Sequence, residues 1–154
     1  MITSKATIFL RGDAIYVVAV AVTRRGYTFK TEQVQTLSAR VEAAALGKAV
    51  LRALDAYEEN VPDIGDPRQH AGPMLRALGF SGIRQFERGT KWTGVQVVDG
   101  IAYVIPSKPY GRGGYFGLTR DDAPEGGIAH VPLEPEALGA AVLSRLAMSV
   151  PHPT

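Results

Sequence analysis

The side chains that most often act as bases, nucleophiles or metal ligands are few and scattered in this sequence. Its three histidines are His70 in a loop, His130 in a candidate strand and His152 near the end of the chain. They lack the HxH, HxxxH and HExxH spacings of metal sites, and the chain contains no cysteine. Ser144 lies on a candidate helix, outside any GxSxG turn. The sequence therefore predicts no catalytic residue, no metal site and no cofactor, and we expect the chain not to be an enzyme.

A glycine-rich stretch, YGRGGYFG at residues 110–117, could form a loop around a phosphate. It lacks the closing Lys-Ser/Thr pair of a Walker loop, and the residues after it are not typical of a helix, as a dinucleotide-binding turn requires. A long hairpin loop with aromatic anchors is the simpler interpretation. Tyr110, Arg112 and Tyr115 are candidate partner-binding residues, because tyrosine and arginine are enriched at interface hot spots. A small-ligand or nucleotide-binding module that uses loop 110–117 remains the alternative function.

Five carboxylates fall within twelve residues, a stretch that we call the acidic segment (residues 55–66). They are Asp55, Glu58, Glu59, Asp63 and Asp66. The acidic segment has no basic residue and a charge of −5, whereas residues 1–54, with eight basic and three acidic side chains, carry +5. Like charges this close repel one another, and acids at a helix C-terminus oppose the helix dipole. One interpretation is a solvated loop; the other is a surface for a basic partner, where charge complementarity speeds association.

A basic and aromatic group, Arg84, Arg88, Lys91 and Trp92, could stack a nucleic-acid base. One such cluster and a formal net charge of +2 are too little to indicate nucleic-acid binding. We therefore expect no direct nucleic-acid partner, and a strand edge anchored by one tryptophan is the simpler interpretation.

The elements that position these residues follow from apolar patterns and turn signals. Strands are expected at residues 5–10, 14–22 and 27–30, and the second is apolar enough to be buried on both faces. A helix is expected from 39 to 59 with Ser38 as its N-cap, followed by a short helix at 74–78 that Gly79 ends.

The second half of the chain returns to strands. Asp99-Gly100 predicts a hairpin between strands at 93–98 and 101–106. Further strands are expected at 115–119 and 127–133, the latter at a sheet edge because of Pro132. A last helix is expected from 135 to 148. The fold class is therefore α+β, with an antiparallel sheet of about six strands packed against two long helices plus one short helix.

The two long helices share a sequence. Residues 45–54 read ALGKAVLRAL and residues 137–146 read ALGAAVLSRL, with seven of ten positions identical. Each places a glycine, Gly47 or Gly139, inside a helix, where it costs about 1 kcal/mol relative to alanine. Two helices that pack alike on one sheet are a better interpretation than a duplicated binding unit. The predicted core positions are Leu46, Val50, Leu54, Leu138, Val142 and Leu146.

Length and composition are those of one ordinary globular domain. The chain has 154 residues, 45% of them apolar and 21% charged. Its longest apolar run, residues 14–22, is about half of what a membrane span needs and follows charged residues that a signal peptide would not have. We expect a single domain over residues 1–154, with a disordered tail at 149–154, located in the cytoplasm and without a membrane partner.

Four motifs occur in an order that is similar to a known family. They are KATIFLRGDAIYV at residues 5–17, LGKA at 46–49, FERGT at 86–90 before a strand pair, and LGAA at 138–141. With these motifs the chain resembles the contact-dependent growth inhibition immunity proteins of Burkholderia and related bacteria, from about residue 5 to residue 147. The glycine content of residues 110–117 departs from that pattern.

The resemblance implies an antidote. Immunity proteins of this kind bind the C-terminal toxin domain of a surface-delivered effector, and many of the toxins are nucleases, including tRNases. A nuclease cleft is basic because it grips phosphates, so carboxylates can take the place of phosphates in it. The expected function is therefore neutralisation of a cognate nuclease toxin domain. The acidic segment and loop 110–117 are the two candidate binding surfaces.

Overall fold

The computed structural model describes residues 1–65, 70–109, 115–117 and 127–154. The strands in these ranges are β1 (Ile2–Arg11), β2 (Ala14–Thr23), β3 (Thr28–Ser38), β4 (Glu58–Val61), β5 (Lys91–Val98), β6 (Ile101–Pro109), β7 (Tyr115–Gly117) and β8 (Ala129–Pro132). The helices are α1 (Ala43–Asp55), α2 (Gly72–Leu78), α3 (Ile83–Glu87) and α4 (Pro135–Met148). Among the described residues, no helix is long and apolar enough to cross a membrane.

All the strands belong to one sheet. Its main path runs β3-β2-β1-β5-β6-β7, with β4 paired to β2 and β8 paired to β6. Every pairing is antiparallel except that of β4, which runs parallel to β2. The Asp99-Gly100 turn joins β5 to β6 with positive φ at both residues, as a tight hairpin turn requires. The predicted α+β class and the antiparallel sheet of about six strands are confirmed.

Both faces of the sheet are covered, which explains the apolar character of β2. Its Ile15, Val17 and Ala19 pack toward α1 and α4, while Val18 packs toward α2 and α3. The expectation that this strand is buried on both faces is therefore confirmed. The six predicted core residues of the long helices are also buried, each at most 6% exposed.

The smaller layer, α2 and α3, covers the face opposite the long helices. Phe86 of α3 is fully buried, and its ring meets the ring of Phe9 edge to face with centroids 4.9 Å apart. Helix α2 begins at Gly72 and ends at Gly79, whose φ of 79° forms a left-handed cap, close to the prediction. The prediction missed α3, because five residues are too few to show a helical period; the structure has four helices where three were expected.

The repeated helix sequence corresponds to a close crossing of α1 and α4. A Cβ built on Gly47 would overlap the carbonyl oxygen of Pro135, and one built on Gly139 would overlap the carbonyl oxygen of Ala43. Pro135 and Ala43 each stand four residues before the glycine of their own helix, so the contact is nearly two-fold symmetric. The interpretation of two helices that pack alike on one sheet is confirmed.

The boundaries of β3 and α1 differ from the prediction. Strand β3 extends to Ser38, so this residue ends a strand, and its hydroxyl accepts a hydrogen bond from the Arg40 amide instead of capping a helix. Helix α1 begins only after Glu42 and ends at Asp55. A bulge hides the strand in the sequence: residues 31–33 stand opposite Ala19 alone, and the Thr31 hydroxyl donates to the Ala19 carbonyl at 2.8 Å.

The end of the chain is fixed, against the prediction of a disordered tail at 149–154. Ser149 is buried, and the Val150 amide donates to the Ser107 carbonyl at 3.0 Å. The His152 amide donates to the Thr90 carbonyl at 3.1 Å, and the imidazole Nε2 lies 2.7 Å from Oε2 of Glu87. The prediction relied on local composition, which gives no sign of these polar partners far away in the sequence.

Candidate partner-binding surface

The acidic segment lies at one end of the sheet, where α1 stops and β4 runs beside the last residues of β2. Asp55 is the final residue of α1, while Glu58 and Glu59 lie on β4. These three carboxylates and Asp63 are exposed. Glu58 and Glu59 were predicted at the end of a helix, so the helix-dipole argument applies to Asp55 only. Asp66 lies outside the described residues.

Strand β4 fills an edge of β2 that β1 leaves open. Strand β1 pairs with β2 as far as Ala19, and β4 continues along the same edge, with Glu58 opposite Ala21. The side chains of residues 58–60 are all exposed, so no buried face marks this strand in the sequence. Three charged or polar residues and a single valine gave no sign of a strand, because the pairing depends on β2 and not on local preference.

One carboxylate of the acidic segment is held by a neighbouring phenol. The Tyr57 hydroxyl donates to Oε1 of Glu59 at 3.0 Å. Partial burial, together with this hydrogen bond and the charge of Glu59, raises the pKa of Tyr57 to about 12. The phenol thus stays protonated and fixes a negative charge at a defined position on the surface.

The turn between β2 and β3 brings two basic residues to the acidic segment. The Arg24 amide donates to the Val61 carbonyl at 3.0 Å. Nε of Arg25 lies 3.2 Å from Oδ2 of Asp63, with side chains 75% and 39% exposed. The prediction that these carboxylates lack basic neighbours therefore holds along the sequence but not in space. Among the described residues, Asp55, Glu58 and Glu59 form no ion pair.

Sequence reasoning missed the contribution of this turn to the surface. Tyr27, directly after it, is 46% exposed, and its amide donates to the Thr23 hydroxyl at 3.1 Å. The motif RRGY at residues 24–27 combines the arginine and tyrosine content of an interface anchor with a glycine turn. That composition was the available signal, but only the pairing of β4 with β2 shows that the turn adjoins the acidic segment.

Loop 110–117, the second candidate surface, lies mostly outside the described residues, including Tyr110 and Arg112. Its last three residues form β7, in which Tyr115 pairs with Pro109 of β6. The strand predicted at 115–119 is thus confirmed for residues 115–117.

Strand β7, the described part of loop 110–117, lies at the opposite end of the sheet from the acidic segment. Ile2 of β1 pairs with Val98, so the β5–β6 hairpin is at the end of the sheet near the acidic segment. Strand β6 then runs from Ile101 away to Pro109, where β7 begins. Eight residue steps at about 3.3 Å each separate the two ends by roughly 26 Å. One small binding site cannot include both the acidic segment and β7.

The histidines do not form a site. The His130 ring contacts the ring of Tyr103 across the β6–β8 pair, with centroids 4.5 Å apart and ring planes tilted by 58°, and the carbonyl of His70 accepts a hydrogen bond from the amide of Lys30. His152 pairs with Glu87. Among the described residues, no group of three or more His, Cys, Asp or Glu side chains could hold a metal ion.

The tryptophan of the basic and aromatic group is partly buried. Trp92 packs against the cluster that contains Phe9 and Phe86, and its indole ring lies against Gly94. This matches the interpretation of one tryptophan that anchors a strand.

Comparisons with known proteins find similarity at the level of the fold. A protein of unknown function, NMB0488 from Neisseria meningitidis, superposes with a TM-score of 0.73 and 16% identity, covering 95% of this chain and 94% of that chain. A chain of the CdiA-CT/CdiI toxin and immunity complex from Yersinia pseudotuberculosis has a TM-score of 0.70 and 15% identity, covering 96% and 98%. A comparison with protein-family models finds no match, and neither does a comparison with curated protein sequences.

Proposed function

We propose that this chain is an immunity protein that binds and neutralises the toxin domain of a contact-dependent growth inhibition effector. The observation that carries the proposal is the TM-score of 0.70 to a chain of a CdiA-CT/CdiI complex. Since 96% of this chain and 98% of that chain are covered, the likeness concerns the whole fold and not one shared motif. The motifs at residues 5–17 and 46–49, which resemble those of Burkholderia immunity proteins, favour the immunity component of such a pair.

We further propose that the partner is a basic nuclease domain and that the acidic segment meets its cleft in the cytoplasm. The described carboxylates of this segment, Asp55, Glu58, Glu59 and Asp63, are exposed together at one end of the sheet. Tyr57 fixes the carboxylate of Glu59, so part of the negative charge is ordered before binding. Carboxylates placed this way can take the positions of phosphates in a groove built to bind nucleic acid. Binding is non-covalent and needs no cofactor.

The competing surface for the same function is loop 110–117. Tyr110, Arg112 and Tyr115 would supply aromatic and arginine anchors for an acidic or mixed partner. Because β7, the described part of this loop, lies at the other end of the sheet from the acidic segment, substitutions can test the two possibilities separately.

The test is protection of bacteria that express the cognate toxin domain. Wild-type protein should restore growth, and the triple variant Glu58→Lys, Glu59→Lys, Asp63→Lys should protect poorly and associate more slowly with the toxin. The matched control reverses three exposed acids elsewhere, Asp13→Lys, Glu32→Lys and Glu42→Lys, with the same change in net charge. This control should protect as well as the wild type.

Each contrary result has a defined meaning. If the wild-type chain does not protect, or is itself toxic, the immunity function is wrong. If the acidic triple variant protects fully while a variant with alanine at Tyr110, Arg112 and Tyr115 does not, the interface is loop 110–117. If the matched control loses protection as well, net charge and not the acidic segment determines binding.

A further inference from the structure

A cleft of about 330 Å³ lies on the α2–α3 side of the sheet. Its walls include His70 before α2, Leu75 and Arg76 on α2, Phe80 in the connection, and Ile83 at the start of α3. The volume equals that of about eleven liquid waters at roughly 30 Å³ each. It falls at the small end of the range of ligand sites and admits a body of about ten non-hydrogen atoms.

The connection between α2 and α3 is held in place, so the cleft is preformed. The ring of Phe80 meets that of Phe86 edge to face at 5.2 Å, and the Arg11 guanidinium lies 4.6 Å from its centroid on one face. The amide and hydroxyl of Ser81 both bond to Oε1 of Gln85, at 3.1 and 2.9 Å. The walls are therefore ordered before a ligand binds, so their rearrangement on binding costs little free energy.

Among the described residues that line the cleft, the one full charge is that of an arginine. The lining includes Arg76 but no aspartate or glutamate. Arg76 is exposed on the last turn of α2 and lines the cleft, so its guanidinium can pair with an anion there. The rest of the wall is mainly apolar, from Leu75, Phe80 and Ile83, and it also contains His70 and Ser81. This combination selects a compact apolar body that carries a single negative group.

We propose that this cleft binds a small aromatic monocarboxylate. The ring packs against Leu75, Phe80 and Ile83, and the carboxylate pairs with Arg76. A flat ring of this size fills the volume and has almost no internal rotation to lose, which suits a rigid cleft. The site goes beyond the proposed toxin binding and does not depend on it.

The experiment is an NMR titration of the amide signals with benzoate as the probe. Benzoate should shift the amides of residues 75–76 and 80–83 and should saturate, with a dissociation constant on the order of 1 mM or below for a ligand this small. Benzamide, the neutral isostere, should bind at least about fivefold more weakly, because it loses the charge-assisted pair.

Two variants locate the charge. Arg76→Met retains the apolar stem and should weaken benzoate about fivefold or more, while leaving benzamide unchanged. Arg84→Met is the matched control, since Arg84 is an exposed arginine of the same segment outside the cleft, and it should bind benzoate like the wild type. The proposal is overturned if benzoate produces no saturable shifts in these residues, if benzamide binds equally well, or if the two variants behave alike.

Discussion

Replacing His152 with alanine should lower the free energy of unfolding substantially, because it removes the imidazole that contacts a buried carboxylate. His152 Nε2 lies 2.7 Å from Oε2 of Glu87, and the two side chains are only 10% and 6% exposed. Breaking a buried ion pair from one side costs about 3–5 kcal/mol. Lys30 also lies within electrostatic reach of Glu87 and compensates in part, so we expect the lower end, about 3 kcal/mol.

The measurement is urea unfolding followed by tryptophan fluorescence. Trp92 is the only tryptophan in the chain, and its carbonyl accepts a hydrogen bond from the buried Ser149 hydroxyl at 2.9 Å, so it reports on the region that residues 149–152 close. For a chain of this length the melting temperature should fall by about 6–12 °C, at 2–4 °C per kcal/mol. The control is His130→Ala, which removes an exposed imidazole and should change stability by no more than about 0.5 kcal/mol.

A double-mutant cycle separates the ion pair from packing. Glu87→Gln in the His152→Ala background removes the buried charge that the imidazole no longer contacts, so the double variant should lose less stability than the two single variants added together. If the two losses simply add, the imidazole contributes packing alone. If the His152→Ala variant is no less stable than the His130→Ala variant, the contacts of residues 149–152 do not stabilise the fold.

Three further outcomes follow from other parts of the molecule. Gly47→Ala should cost about 3 kcal/mol or more, or prevent folding, because its Cβ would overlap the backbone of Pro135, whereas the exposed Lys48→Ala should be nearly neutral in chemical denaturation. Burial lowers the pKa of Lys30 to about 8, so between pH 8 and 10 the unfolded state binds more protons than the folded state, and the free energy of unfolding should rise with pH. The Lys30→Met variant should not show this rise. If the slope is the same in the variant, Lys30 is not its cause. The complex with a basic toxin domain should weaken as salt is added, since exposed charges are screened beyond about 8–10 Å, and calorimetric affinity that is independent of salt would contradict the role of the acidic segment.

The long elements could be predicted because their signals are local. The apolar stripe and the proline at residue 135 define α4 at its observed bounds, and the Asp99-Gly100 pair identifies the β5–β6 hairpin by its need for positive φ. The apolar run of β2 predicted burial on both faces, which the helices on each side of the sheet explain. In these places local preference and tertiary packing favour the same structure.

The short elements could not be predicted, since distant partners determine them. Strand β4 exists because β2 has an open edge beyond Ala19, and its own exposed residues carry no strand pattern. The bulge at residues 31–33 interrupts the alternation that would have extended β3. The contact of residues 149–152 with α3 joins positions about 65 residues apart, and no local signal encodes it.

The candidate surface also has a part that the sequence predicts and a part that depends on distant contacts. The sequence predicted the charge of the acidic segment, and the structure places four of its five carboxylates exposed at one end of the sheet. The ion pair between Arg25 and Asp63 depends on the β2–β3 turn folding beside β4. The separation of the acidic segment from β7 depends on the register of five strand pairings, which charge patterns cannot show.

The crossing of α1 and α4 at Gly47 and Gly139 constrains the sequence at these two positions during evolution, while other positions can change. Each glycine faces backbone, not a side chain, so no substitution on the opposite helix can make room for a larger residue. Each of the two positions therefore requires glycine, which accounts for the glycine that the two helices share. The exposed residues at the two ends of the sheet carry no such constraint. Substitutions of these exposed residues can therefore create a surface for a new partner while the sheet and the helices stay the same.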